Sequence, residues 1–309
     1  MADKIATRQA YGEILPELGR EYENLVVMDA DLSGSTKTAE FKKVFPERFF
    51  NMGIAEQNMY AHAAGLALSG KIVCASTFAM FATGRAFEII RNSIGYTGAN
   101  VKICASHAGI TVGEDGASHQ TFEDIALMRT IPGMTVVNPS DAVSAKKLLR
   151  QVVAMEGPCY VRLGRAAVPV YYKEEDELVL GKGNLIRDGR DATIIATGIM
   201  VSDAAAAAET LAAEGIDVRV IDIHTIKPID EEIIVKAAKE TGKLFTVEEH
   251  SIIGGLGSAV AEVLAEQAPT SLTRIGVRDC FGESGPAKEL LHKYKLDAEG
   301  IYEQIKAKL

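Results

Sequence analysis

Residues 106–120, with the sequence SHAGITVGEDGASHQ, hold two imidazoles, two carboxylates and three glycines in one connection. His107 and His119 are of the residue type that most often donates hydrogen bonds or transfers protons near neutral pH. A polar surface loop whose glycines serve only turn geometry is the alternative interpretation. Because loops on a rigid scaffold often carry function, we favour a functional role for this segment.

Two shorter motifs place a carboxylate and two aromatic rings at the starts of predicted helices. In the motif GIAEQ, Glu56 puts a carboxylate in the first turn of a helix, where it would also stabilise the helix dipole. In the motif TFAMF, Phe78 and Phe81 lie three residues apart, on one helix face. Taken singly, each motif is more typical of ordinary helix capping or core packing than of a site.

These motifs require a scaffold, and the first half of the chain predicts one. Short apolar runs alternate there with longer helical patterns, which is typical of a parallel sheet wound with helices. Ser140 is the predicted N-cap of one of these helices. The predicted strands cover residues 25–28, 49–52, 71–76, 101–106, 135–137 and 159–163, and the predicted helices cover residues 7–18, 55–68, 78–94, 122–129 and 141–155.

The alternation stops after residue 165 and starts again near residue 191. The intervening residues 166–190 contain an acidic run and a Gly-Lys-Gly turn, which predict an ordered linker. We therefore expect an α/β fold of two doubly wound domains, a larger parallel-sheet domain at 1–165 and a smaller one at 191–309. The predicted strands of the smaller domain cover residues 192–196, 218–223, 243–247 and 273–277.

Sheets of this kind bind ligands beyond the carboxyl ends of their strands. The loops that follow predicted strands and carry unusual side chains are residues 29–35, 53–57, 77–81 and 107–120.

Composition narrows the class of protein. With a net charge of −9, the chain is not expected to attract nucleic acid or an anionic membrane. No apolar run approaches the roughly 18 residues of a membrane span, and no secretory signal is visible, so we expect a cytoplasmic protein. The four cysteines stand far apart and indicate no metal site, and Cys74 and Cys104 lie in apolar runs as packed thiols.

Together, the three motifs resemble the pyrimidine-binding domain of the transketolase family of thiamine diphosphate enzymes. The most specific part is residues 107–139, from HAGITVGEDGASHQ through RTIPGMTVVNP. Residues 248–262, EEHSIIGGLGSAVAE, are similar to the C-terminal domain of that family. The resemblance therefore covers essentially the whole chain and corresponds to the C-terminal part of a full-length transketolase.

The family's diphosphate-binding motif, Gly-Asp-Gly with a downstream Asn, does not occur in this sequence. The resemblance thus implies a partner, an N-terminal transketolase subunit of about 270 residues that would supply the diphosphate-binding domain. It also implies an α2β2 heterotetramer, with thiamine diphosphate as cofactor and with Mg²⁺ held by ligands on the partner subunit.

The resemblance assigns roles to ten residues. It implies that Glu56 hydrogen-bonds the pyrimidine ring of the cofactor and that His107 and His119 join it as catalytic groups. The implied cofactor-binding residues are Glu56, Phe78, Phe81 and Asp31, and the implied sugar phosphate-binding residues are Arg8, Ser35, His107, Asp115, His119 and Arg165.

Two positions depart from the family pattern. Gly84 stands where family members often carry a further aromatic residue, so the wall against the pyrimidine is expected to be closed differently. Ala108 stands where many single-chain transketolases carry Asp, which leaves the choice of acceptor sugar undetermined.

The resulting hypothesis is one subunit of a split transketolase of the pentose phosphate pathway, which transfers a two-carbon ketol unit from a ketose phosphate to an aldose phosphate. The alternatives are the beta subunit of a 2-oxoacid dehydrogenase, a deoxyxylulose-phosphate synthase-like relative, or a catalytically idle assembly subunit. The implied phosphate-binding set and the GEDGASHQ loop favour transketolase. The presence of Glu56, His107, Asp115 and His119 speaks against an idle subunit.

Overall fold

The computed structural model describes residues 4–309 as two α/β domains, as predicted. The strands are β1 (Lys4–Ala6), β2 (Leu25–Asp29), β3 (Phe49–Asn51), β4 (Ile72–Ser76), β5 (Val101–Ala105), β6 (Thr135–Val137), β7 (Cys159–Arg162), β8 (Ala167–Pro169), β9 (Asn184–Arg187), β10 (Ala192–Ala196), β11 (Val218–Asp222), β12 (Thr225–Lys227), β13 (Lys243–Ser251) and β14 (Ser271–Val277). The helices are α1 (Thr7–Glu21), α2 (Ser33–Thr36), α3 (Ala39–Val44), α4 (Glu56–Leu68), α5 (Phe87–Ile89), α6 (Asp124–Arg129), α7 (Ala142–Ala154), α8 (Met200–Ala213), α9 (Glu231–Thr241), α10 (Leu256–Gln267), α11 (Ala287–Lys293) and α12 (Ala298–Lys306).

The larger sheet has seven strands in the order β12-β6-β7-β5-β4-β2-β3, and all of them are parallel except β12. Every residue of β2, β4 and β5 is buried, because helices cover both faces of the sheet. Because β4 and β5 pair in parallel, their carboxyl ends lie side by side, and the loops that follow them begin together.

The smaller sheet has five strands in the order β14-β13-β10-β11-β9, in which β9 alone is antiparallel to its neighbour. Its strand β13 is longer than predicted and extends to Ser251. The two domains are not independent, since β12 leaves the smaller domain to pair with β6 at the edge of the larger sheet.

The predicted linker, residues 166–190, contributes strands to two sheets. Its first strand, β8, pairs antiparallel with β1, and its second, β9, pairs antiparallel with β11. The acidic and Gly-rich composition that indicated a linker reflects only the turns between these strands. The domain limits themselves stay a prediction.

Two local predictions were wrong. The continuous helix predicted over residues 78–94 is interrupted, with π-helical turns at Phe81–Arg85 and Ile90–Gly95 on either side of α5. The N-cap of α7 is Asp141, whose side chain accepts from the Ser144 N–H, and not Ser140. Ser140 instead donates its hydroxyl hydrogen to Asp222 at 2.9 Å, across the domain boundary.

Across residues 4–309, no helix combines the length and apolarity needed to cross a membrane. The cytoplasmic location stays a prediction of the sequence. Cys74 and Cys104 are free and buried, as predicted.

Candidate active site

The motifs predicted to form a site meet at the carboxyl ends of β4 and β5. Phe78 forms a parallel bridge with Ser106, and the N–H of Ala79 donates to the carbonyl of Ser106 at 2.7 Å. This bridge joins the TFAMF motif to the start of the histidine loop, residues 107–120. The register of two neighbouring strands therefore sets the distance between the aromatic residues and His107.

Four rings form one aromatic cluster there. The Phe78 and Phe81 rings stack with centroids 5.8 Å apart, and the His107 imidazole stacks on Phe78 at 3.8 Å. His119 presents its edge to Phe81 at 5.3 Å and to Phe78 at 6.2 Å. The structure thus brings His107 against Phe78 and brings His119 against both predicted phenylalanines.

The His107 imidazole is uncharged. Burial, followed by the positive charges of Arg8 and Arg165, lowers its pKa to about 3. Its Nε2 lies 3.3 Å from Nη1 of Arg8, and because a guanidinium can only donate, Nε2 is the acceptor. The hydrogen therefore sits on Nδ1, which donates to the Ser106 hydroxyl at 2.9 Å.

Two guanidinium groups converge beside this imidazole. Arg8 Nη1 also donates to the main-chain oxygen of Ser35 at 2.8 Å, so Ser35 is in contact with the site through its carbonyl. Burial, and then the nearby charge of Arg165, lower the pKa of Arg8, and its buried Nε has no hydrogen-bond partner among residues 4–309. A bound anion would relieve the repulsion between the two charges and accept from Nε, so the pair suits a phosphate.

Arg165 is held by the histidine loop itself. Its Nη1 donates to the carbonyl of Val112 and contacts the carboxylates of Glu114 at 3.3 Å and Asp115 at 3.7 Å. Asp115 therefore reaches the site through Arg165. Both carboxylates are exposed at this rim, so Arg165 can leave them to bind an anionic ligand, and water then solvates the two carboxylates.

Glu56 begins α4, and its side chain is almost completely buried. Nη1 of Arg85 donates to both of its carboxylate oxygens at 3.1 Å, and the Arg85 guanidinium lies 5.0 Å from the Phe81 ring centroid. Arg85 thus ties Glu56 to the aromatic cluster. Sequence reasoning missed Arg85, although its spacing of four residues from Phe81 was an available signal.

Asp31 is the one predicted residue for which the described contacts lead elsewhere. Its main chain has a positive φ of 65°, and its carboxylate accepts from the side-chain amide of Asn51 at 2.9 Å. Asn51 also accepts from the N–H of Gly53, at the start of the loop before Glu56. Asp31 therefore borders the approach to Glu56 rather than the aromatic cluster.

The two departures from the family pattern have clear surroundings. A Cβ at Gly84 would lie 2.5 Å from the methyl group of Met80, so Met80 occupies the space beside this glycine. Ala108 is buried, and its N–H points to the carbonyl of Leu163 at 3.4 Å. Position 108 is therefore packed against β7 and its loop.

Comparison with known families agrees with this geometry. The family described as "Transketolase, pyrimidine binding domain" matches residues 3–170, and the family "Transketolase, C-terminal domain" matches residues 181–301.

Among curated relatives, a Methanocaldococcus jannaschii protein that carries the name of a transketolase C-terminal section is 57% identical over 301 residues, 96% of this chain and 94% of the relative. A 6-deoxy-6-sulfo-D-fructose transketolase subunit of Clostridium sp. is 44% identical, over 95% of this chain and 91% of the relative. Among solved structures, a split gene transketolase described as an inactive beta4 tetramer is 53% identical, with a TM-score of 0.92 and 98% of both chains covered.

Proposed function

The chain belongs to the transketolase family, and on that premise we propose that it works as the C-terminal subunit of a split transketolase on sugar phosphates. The chain is a transketolase-type enzyme part with a pyrimidine-binding and a C-terminal domain. In the proposed reaction a two-carbon ketol unit passes from a ketose phosphate to an aldose phosphate, as in the pentose phosphate pathway.

One observation carries the choice of substrate. Arg8 and Arg165 converge on the uncharged His107 imidazole, directly beside the Phe78 ring. Two planar donor forks next to a neutral histidine suit the terminal phosphate of a sugar. Pyruvate carries a single carboxylate, attached to the reacting carbon, and no remote phosphate that would need this pair, so the geometry supports the transketolase hypothesis over the dehydrogenase one.

The residues present fit thiamine diphosphate. Phe78 and Phe81 offer a stacked aromatic wall, and Glu56 offers a buried carboxyl beside it. When bound, thiamine diphosphate supplies the nucleophilic carbon that accepts the two-carbon unit. Glu56 would hold the pyrimidine ring by a hydrogen bond, and Phe81 would exclude water from that contact.

The histidines would act on the sugar. The Nε2 of His107 is an acceptor and stays uncharged at neutral pH, so it can accept from a substrate hydroxyl once Arg8 turns from it to the phosphate. His119, half-exposed at the edge of the aromatic cluster, is placed to accept or return a proton. Asp115 would contact a sugar hydroxyl once Arg165 turns to the phosphate.

The proposal includes a partner. A subunit with the Gly-Asp-Gly motif would hold the diphosphate through Mg²⁺, because hard oxygen ligands suit that ion. Relatives of similar length are named as transketolase subunits or sections, which supports a two-subunit enzyme, and we propose an α2β2 assembly in the cytoplasm.

The test mixes this chain with a purified N-terminal transketolase subunit from the same organism. Thiamine diphosphate, Mg²⁺, xylulose 5-phosphate and ribose 5-phosphate are added, and the seven-carbon product is quantified. The proposal predicts product only from the mixture. Decarboxylation of pyruvate by the mixture, without transfer between sugars, would favour the 2-oxoacid dehydrogenase alternative.

A further inference from the structure

The histidine loop, residues 107–120, has a main chain that regular secondary structure does not hold. His107 has a positive φ of 58°, which is uncommon for a residue with a Cβ, and Gly109, Gly113 and Gly116 have φ values of 80°, 83° and 74°. Between them runs a 3₁₀ turn, Ile110–Asp115, that is kinked at Gly113. Such a backbone keeps one conformation only where outside contacts fix it.

The strongest outside contact comes from the smaller domain. Oε1 of Glu249, on β13, accepts from the N–H of Thr111 at 2.6 Å. Gly109 packs against the same carboxylate, since a Cβ added there would lie 2.2 Å from Glu249 Cδ. Because Gly109 has no Cβ, the loop leaves the space that the Glu249 side chain fills.

The Glu249 carboxylate is itself anchored. Only 3% of the residue is exposed, and this burial raises the pKa of the carboxyl group. The Arg162 guanidinium and the hydrogen bond from the Thr111 N–H act in the opposite direction and lower that pKa. Arg162 Nη1 lies 3.9 Å from Oε2 of Glu249, and Nη2 donates to the Glu249 carbonyl at 2.9 Å. Arg162 in turn pairs with the buried Asp124 at 2.7 Å. Glu249 therefore joins the loop to a buried charge cluster between the domains.

A second contact acts in the same direction. Nε2 of Gln120 donates to the carbonyl of Ile110 at 3.2 Å and to the carbonyl of Glu283, from the smaller domain, at 2.9 Å. Gly116 approaches the same segment, where its Cβ would meet the Ser284 hydroxyl. Both ends of the 3₁₀ turn are therefore braced from the smaller domain.

We propose that Glu249 is a positioning residue, which fixes the main chain of the histidine loop through Thr111 and thereby sets His107, Asp115 and His119 for the sugar phosphate. Glu249 acts through the loop and does not itself contact substrate. The effect on substrate rests on the proposed function, whereas the effect on the loop does not.

The neighbouring Glu248 provides a matched control. It is equally buried on the same strand, but its carboxylate accepts from the N–H groups of Leu256 and Gly257 at the start of α10. No described contact joins Glu248 to the histidine loop. Substitutions at the two positions remove the same chemical group from the same strand, and only one of them releases the loop.

The first measurement is amide hydrogen exchange by mass spectrometry on the full chain without a partner. In Glu249→Ala, the peptides covering residues 107–120 should exchange at least about tenfold faster than in Glu248→Ala, because the charge-assisted hydrogen bond to Thr111 is lost. Glu249→Gln should lie between, since its amide oxygen can still accept from Thr111. Equal exchange of this segment in the Glu249 and Glu248 variants would overturn the proposal.

If either alanine variant does not fold, the pair Glu249→Gln and Glu248→Gln decides by the same comparison.

The second measurement uses the complex with the N-terminal subunit. There, Glu249→Gln should raise KM for ribose 5-phosphate about threefold or more, and any fold-decrease in kcat should be smaller than this rise. Glu248→Gln should not raise KM. An unchanged KM in Glu249→Gln overturns the substrate part of the proposal. A wild-type complex without ketol transfer would refute the proposed function, while the exchange comparison still decides the role of Glu249 in the loop.

Discussion

Nη1 of Arg85 lies 3.1 Å from both carboxylate oxygens of Glu56, so one guanidinium group covers the open side of the buried carboxylate. The guanidinium also lies over Phe81. A pyrimidine ring bound between Glu56 and Phe81 would take the place that Arg85 now holds. Arg85 is half-exposed and can turn away to solvent when that happens.

Removing Arg85 should therefore strengthen cofactor binding. In Arg85→Met, thiamine diphosphate no longer displaces a guanidinium, and its dissociation constant in the two-subunit enzyme should fall roughly two- to fivefold, the modest range expected for a half-exposed ion pair. Isothermal titration calorimetry measures this directly, with Arg91→Met, a substitution of an exposed arginine on the same segment, as control. Weaker binding in Arg85→Met would mean that Arg85 instead holds Glu56 in its binding position.

Glu56→Gln should abolish most ketol transfer while the fold is retained. The amide is nearly isosteric but cannot hold a proton at the shared position against the pyrimidine ring, so kcat should fall on the order of 100-fold or more. The exposed Glu88, on α5, gives the control Glu88→Gln, which should leave kcat unchanged. Near-normal turnover by Glu56→Gln would remove Glu56 from the catalytic residues.

Arg165→Ala should distinguish phosphorylated from unphosphorylated acceptors. A charge-assisted hydrogen bond to phosphate contributes about 1.5–3 kcal/mol, so KM for ribose 5-phosphate should rise roughly 10- to 100-fold. KM for ribose should change little. Arg150→Ala is the control, because Arg150 pairs only with exposed Glu17 and Glu21 among its described ionic partners. Equal changes for both sugars would mean that Arg165 only supports the loop.

The buried His224 predicts a pH dependence of stability. Burial lowers its pKa from 6.5 to about 4, so the unfolded chain binds a proton in this interval that the folded chain does not. Stability should therefore fall as the pH drops from about 6.5 to about 4, by about 1 kcal/mol per pH unit from this residue. Urea unfolding of His224→Gln should show a shallower dependence, and the exposed His62→Gln should match wild type. Identical slopes for His224→Gln and wild type would contradict this assignment.

The sequence was sufficient for the strands that bring the site together. The runs Ile72–Ser76 and Val101–Ala105 are apolar except for Ser76 and Lys102, which is close to the pattern of strands buried on both faces. Since parallel strands end at one edge, the meeting of Phe78 with His107 followed from their positions after these strands. Their roles came only from the resemblance to the family.

Other features had no local signal. The π-helical turns at Phe81–Arg85 and Ile90–Gly95 place one more residue in a turn, and apolar spacing does not distinguish this from an α-helix. The contact of Glu249 with Thr111 joins residues 138 positions apart, and it depends on how the two domains pack. The pairing of Arg85 with Glu56 likewise joins two helical segments whose relative placement one sequence does not reveal.

Under the proposed function, this chain supplies one half of a thiamine diphosphate site that a second subunit completes. Isothermal titration calorimetry of thiamine diphosphate, with Mg²⁺ present, into this chain, into the N-terminal subunit and into their equimolar mixture shows whether the site is shared. We predict binding on the order of 100-fold tighter in the mixture than in either subunit, at one cofactor per subunit pair, and weakened by Glu56→Gln. Equal affinity for this chain alone and for the mixture would mean that the second subunit contributes nothing to the cofactor site.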